Sequence, residues 1–248
     1  MTRHAGENKK QDFLPIVLAL DGPWADVKIW TERLQGLIWG CKVGSVLFAE
    51  KGPRIVEDIQ AKGFRVFLDL KFHDIPNTVQ LSVRRAFSWG VDLLTVHASG
   101  GRAMLQASAA EQKAQQKIVA VTVLTSLDVR DLSDLGISRS LDDQVHSLAD
   151  LAMNAGIAGL VCSPKEVAGL REKYSRAVLV TPGVRSPRVG AATENDDQKR
   201  TETLETTLRN GASLAVLGRA LTEVQDWKEE WKKITSFTAE KSFKKPLL

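Results

Sequence analysis

No stretch of this chain stays apolar for the roughly 18–20 residues that a membrane-crossing helix requires. Residues Met1 to Gln11 are polar and charged and hold no apolar segment of the kind a secretory signal carries. Cysteine is scarce. Cys41 and Cys162 lie far apart with no metal-ligand spacing around either, which reads as two reduced, buried thiols in a cytoplasmic protein. No second histidine or cysteine stands at ligand spacing from His73, so the sequence offers no metal site beside Asp74. The body of the chain also lacks a charge excess. The net +4 resides in residues 1–10 and 240–248, each of which sums to +2. A nucleic-acid groove would need its basic charge on the folded body, so none is expected. Both tails read as solvated and disordered.

What remains is a 248-residue chain, a length that suits one α/β barrel of roughly 250 residues. Short apolar runs occur at Ile16–Leu20, Gly40–Gly44, Val66–Asp69, Asp92–His97, Ile118–Leu124, Gly159–Cys162, Ala177–Thr181 and Ser213–Leu217. Helical spacing of apolar residues appears between them, as in Val27, Trp30, Leu34 and Leu37, or Val79, Val83 and Phe87. An Ala-rich helix is expected from Gly101 through Ala114. Several strands are apolar throughout, as happens when both faces of a parallel sheet are covered. Eight strand signals alternating with helices at this length favour a single-domain (β/α)8 TIM barrel over 12–235, flanked by polar tails at 1–11 and 236–248, over an open doubly wound sheet, which periodicity alone does not exclude.

In such barrels catalytic side chains stand just after the strands, at the C-terminal mouth. The strand ends here carry Asp21, Lys42, Asp69 with Lys71, His97 with Ser99, Thr125 with Ser126, Pro182-Gly183, and Gly218-Arg219. The densest of these is Asp69-x-Lys71-x-x-Asp74. Period 2 along a strand puts Asp69 and Lys71 on one face, and burying both there is costly unless they pair or do chemistry. Pro76 prevents the strand from continuing beyond Asp74. A lysine between two carboxylates is held protonated, which suits a proton donor rather than an amine nucleophile. A phosphate site is expected from Thr181-Pro182-Gly183-Val184-Arg185 and Gly218-Arg219, where glycine lets backbone approach oxygen and arginine binds it bidentately. The polar segment 185–200 reads as a lid or a disordered loop, with Gln198 able to donate an amide to the same phosphate.

The run Asp69-x-Lys71-x-x-Asp74-Ile75-x-x-Thr78 resembles the signature of the orotidine 5′-phosphate decarboxylase family. The similarity extends from Ile16 to Glu223. It takes in Leu20-Asp21, Lys42-Val43-Gly44, Val96-His97-Ala98-Ser99-Gly100-Gly101, Leu124-Thr125-Ser126, Thr181 to Arg185, Asp197-Gln198 and Leu217-Gly218-Arg219. The one departure is Lys199, where arginine would be expected beside Gln198. The resemblance implies a cofactor-free, metal-free decarboxylation of orotidine 5′-monophosphate to uridine 5′-monophosphate, in a homodimer. It implies a charged array of Lys42, Asp69, Lys71 and a second copy's Asp74, with Lys71 protonating C6. It also implies that Asp21 and Lys42 contact the ribose and that Thr78 crosses the interface with Asp74. Thr125 would then sit at the pyrimidine edge, with Arg185, Gln198, Gly218 and Arg219 on the phosphate.

Two alternatives stand beside that reading. The Mg2+-dependent 3-keto-gulonate-phosphate decarboxylases and hexulose-phosphate synthases share the Asp-x-Lys-x-x-Asp strand, but carry a glutamate ligand where this chain has Lys42, a cation that repels a metal. A catalytically silent, phosphate-binding barrel is the other; the intact Asp69, Lys71 and Asp74 argue against it.

Overall fold

The computed structural model describes residues 13–185 and 200–239, with side chains as far as Ser236. The strands in chain order are β1 (Leu14–Ala19), β2 (Ile38–Gly44), β3 (Arg65–Phe72), β4 (Leu93–His97), β5 (Lys117–Val121), β6 (Gly159–Val161), β7 (Val178–Thr181), β8 (Val184–Arg185), β9 (Glu202–Thr203) and β10 (Leu214–Leu217). Eight of them close into a barrel in the order β1-β10-β7-β6-β5-β4-β3-β2. Every pairing around it is parallel. The helices are α1 (Trp24–Arg33), α2 (Ser45–Lys51), α3 (Arg54–Gln60), α4 (Pro76–Ser88), α5 (Gly101–Ala109), α6 (Val129–Asp134), α7 (Leu141–Asn154), α8 (Val167–Lys173), α9 (Leu204–Arg209), α10 (Arg219–Thr222) and α11 (Trp227–Ala239). The expected (β/α)8 barrel is therefore present. Among the described residues no helix is long and apolar enough to cross a membrane.

Strand period divides the apolar residues into two cores. Val17, Phe67, Leu93, Val119, Val178 and Val216 point inward and fill the barrel. Ile16, Leu18, Leu68, Leu94, Ile118 and Leu179 alternate with them and pack outward against the helices. Each such side chain, once fully buried, contributes about 1.5–3 kcal/mol. The inner layer needs close strand approach at two points. A Cβ on Gly159 would lie 2.0 Å from the Val178 carbonyl oxygen, and one on Gly40 would lie 2.4 Å from that of Arg65. Trp39 belongs to this inner layer rather than to a helix face, and the Arg65 guanidinium stands 5.6 Å from its ring centre.

Several boundaries differ from the sequence reading. Helix α5 ends at Ala109, not Ala114. Gln112 turns its amide across the barrel base instead, accepting from the Ile118 and Ala158 backbone N–H groups. Strand β5 ends at Val121, and Leu34 and Leu37 fall beyond α1. Helix α11 continues to Ala239, so the tail expected from 236 begins no earlier than 240. The rest of both tails, and the segment 186–199, lie outside the described residues. Elements that were not anticipated include α2, α6, β8 and β9. Asp128 forms a reciprocal capping box with Asp131 and starts α6. Strands β8 and β9 pair in parallel, Val184 with Glu202 and Arg185 with Thr203.

Candidate active site

A cavity of about 490 Å³ opens at the C-terminal mouth of the barrel. Its floor is the upper end of the inner core, including Phe67, Val121, Val161, Val180 and Val216. This volume suits a ligand of nucleotide size, and the apolar floor places a low-dielectric surface beneath whatever charge the rim carries. Asp21, Lys42, Asp69, Lys71, Thr125, Arg185, Gly218 and Arg219 all line it. These strand-end residues thus converge on one space, while His97 and Ser99 lie outside it.

On one side of the cavity the charges alternate. Lys42 Nζ lies 2.8 Å from Asp21 Oδ1 and 3.7 Å from Asp69 Oδ2. Lys71 Nζ lies 2.9 Å from Asp69 Oδ1. The side chains of Lys42 and Asp69 are only 12% and 13% exposed, so the contact between these two is poorly screened. Burial pulls the Lys42 pKa down, but the carboxylates of Asp69 and Asp21 outweigh it and raise it above the ordinary lysine value. Lys42 is therefore a fixed cation.

Lys71 sits in a strained backbone. Its φ of 51° makes it the one non-glycine residue with positive φ among the described residues. Left-handed backbone at a bulky side chain costs roughly 1–3 kcal/mol and persists where the surroundings hold it. The local cause is an irregularity in the β3–β4 pairing between Leu68 and Phe72. Leu70 and Phe72 still pack on the outer core, so Asp69 and Lys71 face the cavity as period 2 requires.

The lysine expected between two carboxylates finds one of them on its own chain. Asp74 is exposed, lies outside the cavity lining, and accepts a hydrogen bond from the Ile75 N–H at 2.6 Å. Thr78, on the first turn of α4, is likewise exposed and outside it. Gln198 and Lys199 fall outside the described residues. His97 does not line the cavity. It packs against His73 with ring centres 5.4 Å apart, and burial, aided by His73 and Lys71, lowers its pKa.

On the stretch of rim that adjoins β1, Gly183, with φ 76°, turns β7 into β8, and Arg185 follows. Gly218 and Arg219 stand at the end of β10, so two guanidinium groups border the same cavity. The cavity is thus bordered by two guanidinium groups and by an alternating charge array.

Two residues escaped the sequence reading. Thr95, the only polar residue within the Leu93–Val96 run, is fully buried beside Asp69 and Lys71. Arg200 is buried and ion-paired with buried Glu166, while its second terminal nitrogen donates to the Val123 and Leu124 carbonyls at 3.0 and 2.9 Å. It thereby braces the backbone leading into Thr125. Burial raises the Glu166 pKa, and Arg200 and the Ser163 N–H oppose that shift.

Comparison with known proteins bears on this arrangement. The model of the Orotidine 5′-phosphate decarboxylase / HUMPS family matches residues 14–234. A protein of Chromohalobacter salexigens named orotidine 5′-phosphate decarboxylase is 43% identical over 219 residues, covering 86% of this chain and 90% of its own length. One of the same name from Moorella thermoacetica is 44% identical over 222 residues, covering 85% and 86%. The crystal structure of orotidine 5′-phosphate decarboxylase from Lactobacillus acidophilus superposes with a TM-score of 0.76 at 30% identity, covering 90% of this chain and 98% of that one.

Proposed function

The chain belongs to the Orotidine 5′-phosphate decarboxylase / HUMPS family, and from that premise we propose that it decarboxylates orotidine 5′-monophosphate with Lys71 as the proton donor to C6. The reaction, release of CO2 to give uridine 5′-monophosphate in pyrimidine biosynthesis, is the one its relatives are named for. The observation that carries the finer reading is the row Asp21, Lys42, Asp69 and Lys71 lining a cavity that Arg185 and Arg219 also line.

Each role follows from the chemistry of the reaction. The bond from C6 to the carboxylate carbon breaks, its electron pair remains on C6, and CO2 departs. With no cofactor to delocalise that pair, fixed positive charge and a proton must come from the protein. Lys71 Nζ supplies both and regains its proton from solvent. Asp69 stands where a substrate carboxylate would meet negative charge, and relief of that repulsion as CO2 forms would favour the forward step. Lys42, kept charged by Asp21 and Asp69, belongs to the array and, with Asp21, contacts the ribose. Thr125 reads the pyrimidine edge. Arg185, Gln198, Gly218 and Arg219 hold the phosphate, so that binding energy remote from C6 serves the reacting centre.

Asp74 and Thr78 complete the array from a second copy of the chain in a homodimer. The exposure of both residues on their own barrel supports that placement, because each is available to a neighbour. The enzyme works in the cytoplasm. Lys42 also favours this branch of the family over the Mg2+-dependent one, because its ammonium, paired with two carboxylates, opposes a divalent cation at that position. The test is the absorbance change of orotidine 5′-monophosphate with purified protein in EDTA. Turnover is expected; activity that appears only on adding Mg2+ would assign the chain to the other branch.

A further inference from the structure

We propose that Thr95 is a positioning residue, its buried hydroxyl fixing the irregular segment of β3 that presents Asp69 and Lys71 to the cavity. The inference rests on the reading of Lys71 as proton donor. In the β3–β4 ladder Leu68 pairs with Leu94, but the next pair is Phe72 with Val96. Four steps on β3 are therefore matched by two on β4, and Thr95 lies opposite the surplus. Regular pairing cannot provide for the Lys71 N–H in that interval. It donates instead to Thr95 Oγ1 at 2.8 Å.

The same hydroxyl then donates its proton to Asp69 Oδ1 at 3.1 Å, and Lys71 Nζ reaches that oxygen at 2.9 Å. A hydroxyl has one proton to give, and here it goes to the carboxylate, while its lone pair receives the backbone N–H. The closed ring ties the left-handed backbone of Lys71 to the carboxylate that orients its side chain. Thr95 is fully buried and does not line the cavity, so it acts on the reaction through these two residues. Branching at Cβ restricts its χ1 and pre-sets the hydroxyl direction. Valine would fill the same space but leave the Lys71 N–H without its acceptor.

The test compares Thr95→Val with Thr95→Ser in the full-length chain. Displacement of a reacting group by about 1 Å costs on the order of 10²-fold in rate, so Thr95→Val is expected to lower kcat roughly ten- to hundredfold. Affinity for uridine 5′-monophosphate, which is held largely through its phosphate, should change by less than about threefold, since the loss lies in the transition state. Thr95→Ser restores the hydroxyl and should recover kcat to within about threefold of wild type. Thr95→Ala is read in the same way if the valine variant does not fold. An unchanged kcat in Thr95→Val, an equal loss of product affinity, or a serine variant as impaired as valine would each overturn the proposal. Lys71→Ala is assayed alongside. If it alone stays active, the proton-donor reading fails and a defect in Thr95→Val cannot come through Lys71. If it is inactive while Thr95→Val is normal, only the role of Thr95 falls.

Discussion

Replacing Lys71 with methionine removes the ammonium and keeps an unbranched apolar stem of similar length. The wild-type ammonium lies 2.9 Å from Asp69, with the lysine side chain 35% exposed. Asp69 is not stranded by the change, because Lys42 remains at 3.7 Å and the Thr95 hydroxyl at 3.1 Å. A partly exposed pair of this kind contributes no more than about 1 kcal/mol after solvent screening. For a chain of this length that corresponds to a Tm shift of roughly 2–4 °C at most. Catalysis loses far more. A positioned general acid contributes about 10²–10⁴-fold, and a fixed charge aimed at the developing carbanion about 10²–10³-fold. Even the lower ends of these ranges combine to a fall in kcat of about 10⁴, equivalent to roughly 5.4 kcal/mol of barrier. The assay is continuous absorbance with orotidine 5′-monophosphate, paired with a thermal melt to show that the fold persists. A variant with unchanged Tm and kcat within about tenfold of wild type would remove Lys71 from the proton transfer.

Arg219→Ala should weaken binding of phosphorylated ligands by roughly ten- to hundredfold, the value of a charge-assisted hydrogen bond, while leaving the phosphate-free nucleoside little changed. Competition assays with uridine 5′-monophosphate and uridine separate the two, and equal losses would place Arg219 elsewhere. Arg200→Met leaves Glu166 buried without its cation, which should cost about 3–5 kcal/mol and lower Tm by roughly 6–20 °C in a melt; a Tm within about 2 °C of wild type would show that the pair is not needed for stability. Lys71→Ala and Asp74→Ala, each inactive alone, should complement when mixed. After random subunit exchange about half the dimers hold one intact site of two, giving roughly a quarter of wild-type activity. No recovery, with exchange demonstrated separately, would mean that Asp74 serves its own chain.

The fold was legible because eight apolar runs separated by helical spacing leave few topologies for a chain of this length. The exceptions share a physical cause. The Ala-rich segment past Ala109 has helical propensity, yet the Gln112 amide is committed to the Ile118 and Ala158 N–H groups, and tertiary bonding overrides propensity there. The β8–β9 pair joins residues on either side of a long polar segment, and two-residue strands leave no periodic trace. Glu166 and Arg200 are 34 positions apart and Thr95 and Asp69 are 26 apart. Periodicity reports which face a side chain occupies, but not which atom it meets across a ladder, because that depends on register. The surplus of β3 over β4, which hands the Lys71 N–H to a hydroxyl, is a matter of register.

The charge array escaped this limit through the topology of the barrel itself. Asp21 follows β1, Lys42 lies on β2, and Asp69 and Lys71 lie on β3, and these three strands are neighbours in space as well as in sequence. Right-handed βα crossovers place each new strand beside the last, so chain order becomes angular order around the mouth. An alternation of sign written along the sequence therefore becomes an alternation of sign in space. Arg185 and Arg219, from the last strands, are set against the first ones by closure of β10 onto β1. Residues whose partners lie one strand away at the mouth can be inferred from the sequence. Thr95 and Arg200 meet their partners through a ladder irregularity and through a contact between elements distant in the chain, and neither leaves a periodic trace in the sequence.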